Sequence, residues 1–208
     1  GNKFTVYLTG NIDNQIINDI NAVFGGYDIT FNGLENINYE INTTKQFEPI
    51  KVNLDNTVQS SIRIGKIMIG RDHHDYYDAV ILTTVLGGYF GSRLMANIRE
   101  DKGYTYGVGA SIMSLINSSY LFIQTDVGKN VCDLAIKEIY YEMDKLCNEK
   151  ISDVELERVK QYLSGSLLRS IDGAVNIMDK FIDFDDFGFG VDHFQYQMDS
   201  IVDVSADK

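Results

Sequence analysis

Tyr104-Thr105-Tyr106-Gly107-Val108-Gly109-Ala110-Ser111-Ile112 alternates along its whole length, with Tyr104, Tyr106, Val108, Ala110 and Ile112 on one face and Thr105, Gly107, Gly109 and Ser111 on the other. Period-two alternation of this kind marks a half-buried strand. The two glycines leave the second face without side chains, which suits the close approach of another backbone. Asn117-Ser118-Ser119 then turns the chain, and Tyr120 to Val127 reads as the return strand of an antiparallel hairpin.

Strand and helix signals alternate on both sides of this hairpin. Upstream, Asp75 to Tyr89 is densely apolar on a helical period, predicting a largely buried helix, and Gln59 to Ile69 is a β-branched strand whose apolar frame shifts around Gly65 as at a bulge. Lys3 to Leu8 alternates like a strand. Asp13 follows as an N-cap for a helix carrying Ile16, Ile17, Ile20, Val23 and Phe24, which Gly25 and Gly26 end. Tyr27 to Val58 is asparagine-rich and holds the only proline, Pro49, so an irregular connection is expected, extended near Pro49 to Leu54. Downstream, Cys132, Ala135, Ile136, Ile139, Met143 and Leu146 mark a long amphipathic helix, and Ser152-Asp153-Val154-Glu155 is a capping box opening another through about Ser170. Weaker helical patterns cover Ala174 to Phe184 and His193 to Val202, divided by the glycine-broken run Phe187 to Gly190. The order predicts an α+β fold, a largely antiparallel sheet with helices packed on it, as one domain over residues 1–208.

The charge balance narrows the partners. Eighteen basic against 30 acidic side chains give a net charge of −12, a field that repels nucleic acid and anionic membrane. No run approaches the roughly 18 apolar residues needed to span a bilayer. Cys132 and Cys147 stand about 22 Å apart along one expected helix, too far for a disulfide, and read as buried thiols.

Several chemistries are absent by spacing. The three histidines, His73, His74 and His193, form neither HExxH nor HxxEH, so no zinc helix is present. His73 and His74, flanked by Asp72 and Asp75, read as a solvated turn. Asp183, Asp185, Asp186 and Asp192 fail the EF-hand pattern, since the twelfth position from Asp183 is Phe194, and read as a solvated interhelical loop. Gly87, Gly88 and Gly91 lack the Gly-Lys-Ser/Thr of a phosphate loop.

Residues 86–110 carry the most specific signal. Leu86-Gly87-Gly88-Tyr89-Phe90-Gly91-Ser92-Arg93-Leu94 is followed by Ile98-Arg99-Glu100-Asp101-Lys102-Gly103-Tyr104-Thr105-Tyr106. This run closely resembles the second domain of the pitrilysin/insulinase-type zinc peptidases, which include the mitochondrial processing peptidases, with its LGG-x-x-x-SRL and I/L-R-E-x-K-G-x-x-Y pattern. Two flanking segments resemble the same family. Phe4 to Asp13 looks like its first strand and Gly-Asn turn, and Ile201 to Asp207 looks like the cap before the domain's terminal helix, so the chain reads as a domain excised from a longer one.

The resemblance implies a split active site. One domain carries an HxxEH helix that holds zinc and supplies a glutamate base. A related domain without the motif, the kind this chain resembles, holds no metal and closes over an extended peptide substrate. The family's arginine and tyrosine seven apart match Arg99 and Tyr106. Addition of water to a peptide carbonyl creates an oxyanion that a phenol and a guanidinium can stabilise as donors, while Arg99 has the alternative task of gripping a substrate carbonyl or terminal carboxylate. The resemblance also places Gly87, Gly88 and Gly91 in a substrate-contacting loop, although a helix stop feeding a turn explains them equally well. A structural or assembly protein of the same fold, and a peptide-binding module acting alone, are the competing classes. The zinc-bearing domain is expected in the same chain or in a separate subunit, and the compartment is not legible.

Overall fold

A computed structural model describes residues 5–26, 48–116 and 118–207. Its centre is an antiparallel sheet in the order β1-β3-β2, with β1 Gln59–Met68, β2 Thr105–Leu115 and β3 Ser118–Gly128. β2 and β3 are the expected hairpin. Asn117, at its turn, lies outside the described residues.

The helices are α1 Asn14–Phe24, α2 Tyr76–Thr83, α3 Cys132–Asn148, α4 Asp153–Arg169, α5 Ala174–Asp186 and α6 His193–Asp203. The caps of α1 and α4 follow the sequence. Asp13 Oδ1 accepts from Ile16 N at 2.9 Å, and Ser152 Oγ accepts from Glu155 N at 3.2 Å. Glu155 does not complete the capping box. Its carboxylate instead receives both forks of Arg93 at 2.8 Å, tying the start of α4 to the loop after Gly91.

The sheet buries one face against α3 and the residues 94–98. Ile62, Val108, Ala110, Ile123 and Val127 from the strands meet Leu94, Ile98, Ala135 and Ile139, most of them fully enclosed. A second cluster joins Ile81 and Val85 to Leu156 and Val159 of α4. The result is the α+β architecture expected, with helices packed on a three-stranded antiparallel sheet. Among the described residues no helix is long and apolar enough to cross a membrane.

Several expectations are corrected. β1 pairs with β3 in unbroken register through Gly65↔Phe122, so the bulge expected there is absent; it lies in β2 instead. Residues 5–9 join no sheet. Tyr7 hydrogen-bonds Asp185, and Thr9 Oγ1 donates to the Ala174 carbonyl at 2.9 Å, so this segment meets α5 through side chains. Of the connection expected over Tyr27 to Val58, residues 27–47 lie outside the described residues, and Pro49 to Leu54 carries no strand. Cys147 is exposed and Cys132 half-buried, because the core-facing positions of α3 are Ala135, Ile139 and Glu142.

α5 runs to Asp186, so Asp183, Asp185 and Asp186 stand on a helix rather than in a loop. Asp183 receives a bidentate contact from Arg71 at 2.7 and 2.9 Å. That hydrogen bond, reinforced by the guanidinium charge, holds the Asp183 carboxyl below its ordinary range.

Candidate functional site

The segment 84–106 departs from regular α-helix twice. α2 widens into a π-helical stretch, Thr84–Gly88, and after a short loop a second one forms at Met95–Asp101. Such stretches are rare and concentrate at functional places. Gly103, at φ 65°, takes the left-handed turn that ends the second one. Tyr104 N then donates to Ile98 O at 3.0 Å, folding the start of β2 back against the helix end that carries Arg99. One backbone hydrogen bond thus holds together the two segments bearing Arg99 and Tyr106.

Tyr106 does not lie on the apolar face that simple alternation predicts. Thr105 pairs with Val127 and Val108 with Thr125, so β2 spends three steps where β3 spends two. This bulge puts Thr105 on the buried side opposite Val127 and turns Tyr106 outward, where it is 94% exposed, before Val108 and Ala110 resume core packing. Arg99 is one-third exposed. Its guanidinium lies over the Phe90 ring and within 3.4 Å of the Glu100 carboxylate. Phe90, itself largely exposed, is the residue that sequence reasoning passed over. Its signal was a bulky aromatic inside a glycine-rich loop nine positions before Arg99.

The three glycines differ. A Cβ at Gly87 would stand 2.6 Å from Ala110 N and 2.7 Å from Ala110 Cβ, so this buried residue is where the helix backbone meets β2 at Ala110. Gly109 returns the contact, facing Gly87 O. Gly88 is half-buried beside Thr84, and Gly91 is exposed next to the Tyr89 ring. Along the same strand Val108 N donates to Met95 Sδ at 3.5 Å, so the outer edge of β2 is covered there.

Two clefts lie away from these side chains. A cleft of about 870 Å³ is lined mostly by charged residues of α3 and the 93–102 segment, and neither Arg99 nor Tyr106 borders it. A smaller one of about 300 Å³ adjoins Gly88, Ala110, Arg71 and Tyr77. Near it, burial pushes the Tyr77 hydroxyl up to about 12, and desolvation holds His193, which contacts that hydroxyl at 2.6 Å, below its usual range. Arg99 and Phe90 thus meet at the surface, Tyr106 is a second exposed side chain on the strand that follows, and none of the three borders either cleft.

Among the described residues one cluster has metal-ligand composition, His73, His74 and Asp75. Its imidazoles stack at 4.4 Å, their side chains 41% and 81% exposed, and His73 Nδ1 already accepts from Asp75 N. Without a glutamate base or an enclosing shell, these residues do not fit a catalytic zinc centre.

Residues 1–163 match the family model described as the peptidase M16 inactive domain. The chain is 29% identical over 180 residues to a Bacillus subtilis protein named as the uncharacterized zinc protease YmxG, covering 86% of this chain and 42% of that protein. It is 21% identical over 178 residues to the probable inactive metalloprotease YmfF of the same organism, covering 84% and 40%. It thus spans about two fifths of these relatives. A Helicobacter pylori protease structure superposes with a TM-score of 0.76 at 16% identity, over 96% of this chain and 49% of that one, a likeness of fold. The family match over more than three quarters of the residues, on a helix-covered antiparallel sheet, settles the affiliation: the chain belongs to the peptidase M16 inactive domain family.

Proposed function

We propose that this chain is the substrate-binding, transition-state-assisting half of a zinc-dependent peptidase. The zinc and its HxxEH helix would sit on a partner domain, in the same chain or a second subunit, and this chain would hold no metal. The single observation that carries the reading is the outward turn of Tyr106 on a strand whose start is bonded to the Arg99 segment through Tyr104 N and Ile98 O: a phenol 94% exposed at a β-bulge has no packing role. Two donors on an open surface suit a site completed by another surface closing over it.

In this reading the hydroxyl of Tyr106 and the guanidinium of Arg99 donate to the oxyanion that forms at the scissile carbonyl. The peptide lies extended and gains backbone hydrogen bonds by strand addition. The backbone edge of β2 is met at Tyr104 by Ile98 O, at Val108 by Met95 and at Ala110 by Gly87, so in this reading the substrate backbone would meet it at Tyr106. Gly91, exposed in the loop before Arg93, and Gly88 would contact it, while Gly87 would hold that loop against the sheet.

The test is peptide cleavage by the complete protease with Arg99→Ala, Arg99→Lys and Tyr106→Phe. The expected loss in kcat/KM is on the order of 10² for each removed donor. Rates within about twofold of the parent, less than roughly 0.5 kcal/mol of transition-state stabilisation, would remove the assigned roles. A scaffold that has lost catalysis, as the name of YmfF suggests for that relative, is the second reading; it predicts no zinc-dependent cleavage at all.

A further inference from the structure

The bulge that turns Tyr106 outward is held by two threonine side chains. Thr105 Oγ1 lies 2.8 Å from Asp126 O, 2.9 Å from Gly107 O and 3.1 Å from Gly107 N, and Thr125 Oγ1 lies 2.9 Å from both Gly107 O and Thr105 Oγ1. Each hydroxyl has one proton to give. One assignment satisfies every backbone group: Thr105 donates to Asp126 O, Thr125 donates to Gly107 O, and Thr105 Oγ1 accepts from Gly107 N–H. The ladder skips these groups where the register shifts. Thr125 is 3% exposed and flanked in its row of β3 by Ile123 and Val127, where a β-branched hydrocarbon would pack as well. A buried hydroxyl there needs a partner, and the partner it has is the carbonyl directly after Tyr106.

We infer that Thr105 and Thr125 are positioning residues of the proposed site, which hold the bulge register and so keep the Tyr106 hydroxyl facing the peptide carbonyl. The inference rests on the peptidase reading for its functional consequence. Without the two hydroxyls, Gly107 N–H and O lose their side-chain partners, and the regular ladder that pairs them with β3 draws Tyr106 toward the face where alternation would put it.

Two measurements on the complete protease test this. In kinetics, Thr125→Val lowers kcat about tenfold with KM within about twofold, because a misplaced donor costs chemistry more than binding. Thr125→Ser, which keeps the hydroxyl, restores it. In a Tyr106→Phe background Thr125→Val has no further effect. Equal losses in the parent and Tyr106→Phe backgrounds, or failure of the serine variant to restore kcat, would show a merely structural role and overturn the inference. The second readout needs no activity: nitration by tetranitromethane, read at Tyr106 by peptide mass spectrometry against the exposed Tyr140, falls in the Thr105→Val, Thr125→Val double variant. Undiminished nitration of Tyr106 contradicts the inference. If Tyr106→Phe alone leaves kcat unchanged, the peptidase role of Tyr106 fails, and nitration still decides whether the threonines set its direction.

Discussion

The Arg99 guanidinium stands 4.6 Å from the centre of the Phe90 ring, on a ring that is otherwise 64% exposed. Stacking occupies the flat face of the guanidinium and not its N–H edge, of which Nη1 meets Glu100 at 3.4 Å, so the ring orients the donors without consuming them. At this exposure the contact contributes about 0.5–1 kcal/mol. Phe90→Ala is therefore expected to lower kcat/KM by about two- to fivefold, and Phe90→Tyr to preserve it. Steady-state peptide hydrolysis by the complete protein, under the peptidase role proposed for it, checks both.

Gly87 answers for stability. Its missing Cβ is what allows the Thr84–Gly88 backbone to meet β2, and the atoms a Cβ would strike are the backbone nitrogen and Cβ of Ala110. Gly87→Ala forces a backbone shift costing about 1–3 kcal/mol, at roughly 2–4 °C in Tm per kcal/mol for a domain of this size. Gly107→Ala, whose Cβ meets nothing within 4 Å, is the matched control and leaves Tm nearly unchanged.

Acid should loosen the α2–α6 contact first. His193 stacks on Phe189 at 3.9 Å and holds its neutral form through desolvation, aided by the nearby Arg71 and Lys180 charges. The unfolded imidazole takes its proton near its ordinary value of 6.5, and the folded one only lower. Stability is thus unaffected by this group above that pH and falls as pH drops below it. Asp183, depressed mainly by its hydrogen bond from Arg71, adds stability present above its ordinary 3.8 and lost as pH falls through its lower folded value. Thermal melts from pH 8 to pH 5 are expected to show the first loss, and His193→Gln to flatten it.

The hairpin and the long helices α3 and α4 were legible because their signals are contiguous: alternation, a 3.6-residue period, and a cap three residues from its target. The direction of Tyr106 was not. It depends on Thr125, nineteen residues on in a different strand, whose hydroxyl stabilises an extra residue in β2. Alternation alone assumes a ladder without interruption. Asp183 read as a loop acid because its partner Arg71 is 112 positions away. The Lys3 to Leu8 alternation is as good as that of β1, yet residues 5–8 lie outside the sheet, since the pattern records one apolar face and not which neighbour covers it. At the site, the motif marked Arg99 and Tyr106, while Phe90 shows only once the loop is folded over Arg99.

The proposed role is tested most sharply by the single-turnover rate of peptide cleavage at saturating substrate by the complete protein, with Tyr106→Phe against the parent. Removing one oxygen from an exposed side chain leaves folding intact, so Tm is expected to stay the same. A fall in rate on the order of 10² is expected, with substrate affinity little changed. A Tyr106→Phe protein that cleaves at the parent rate would contradict the proposed role.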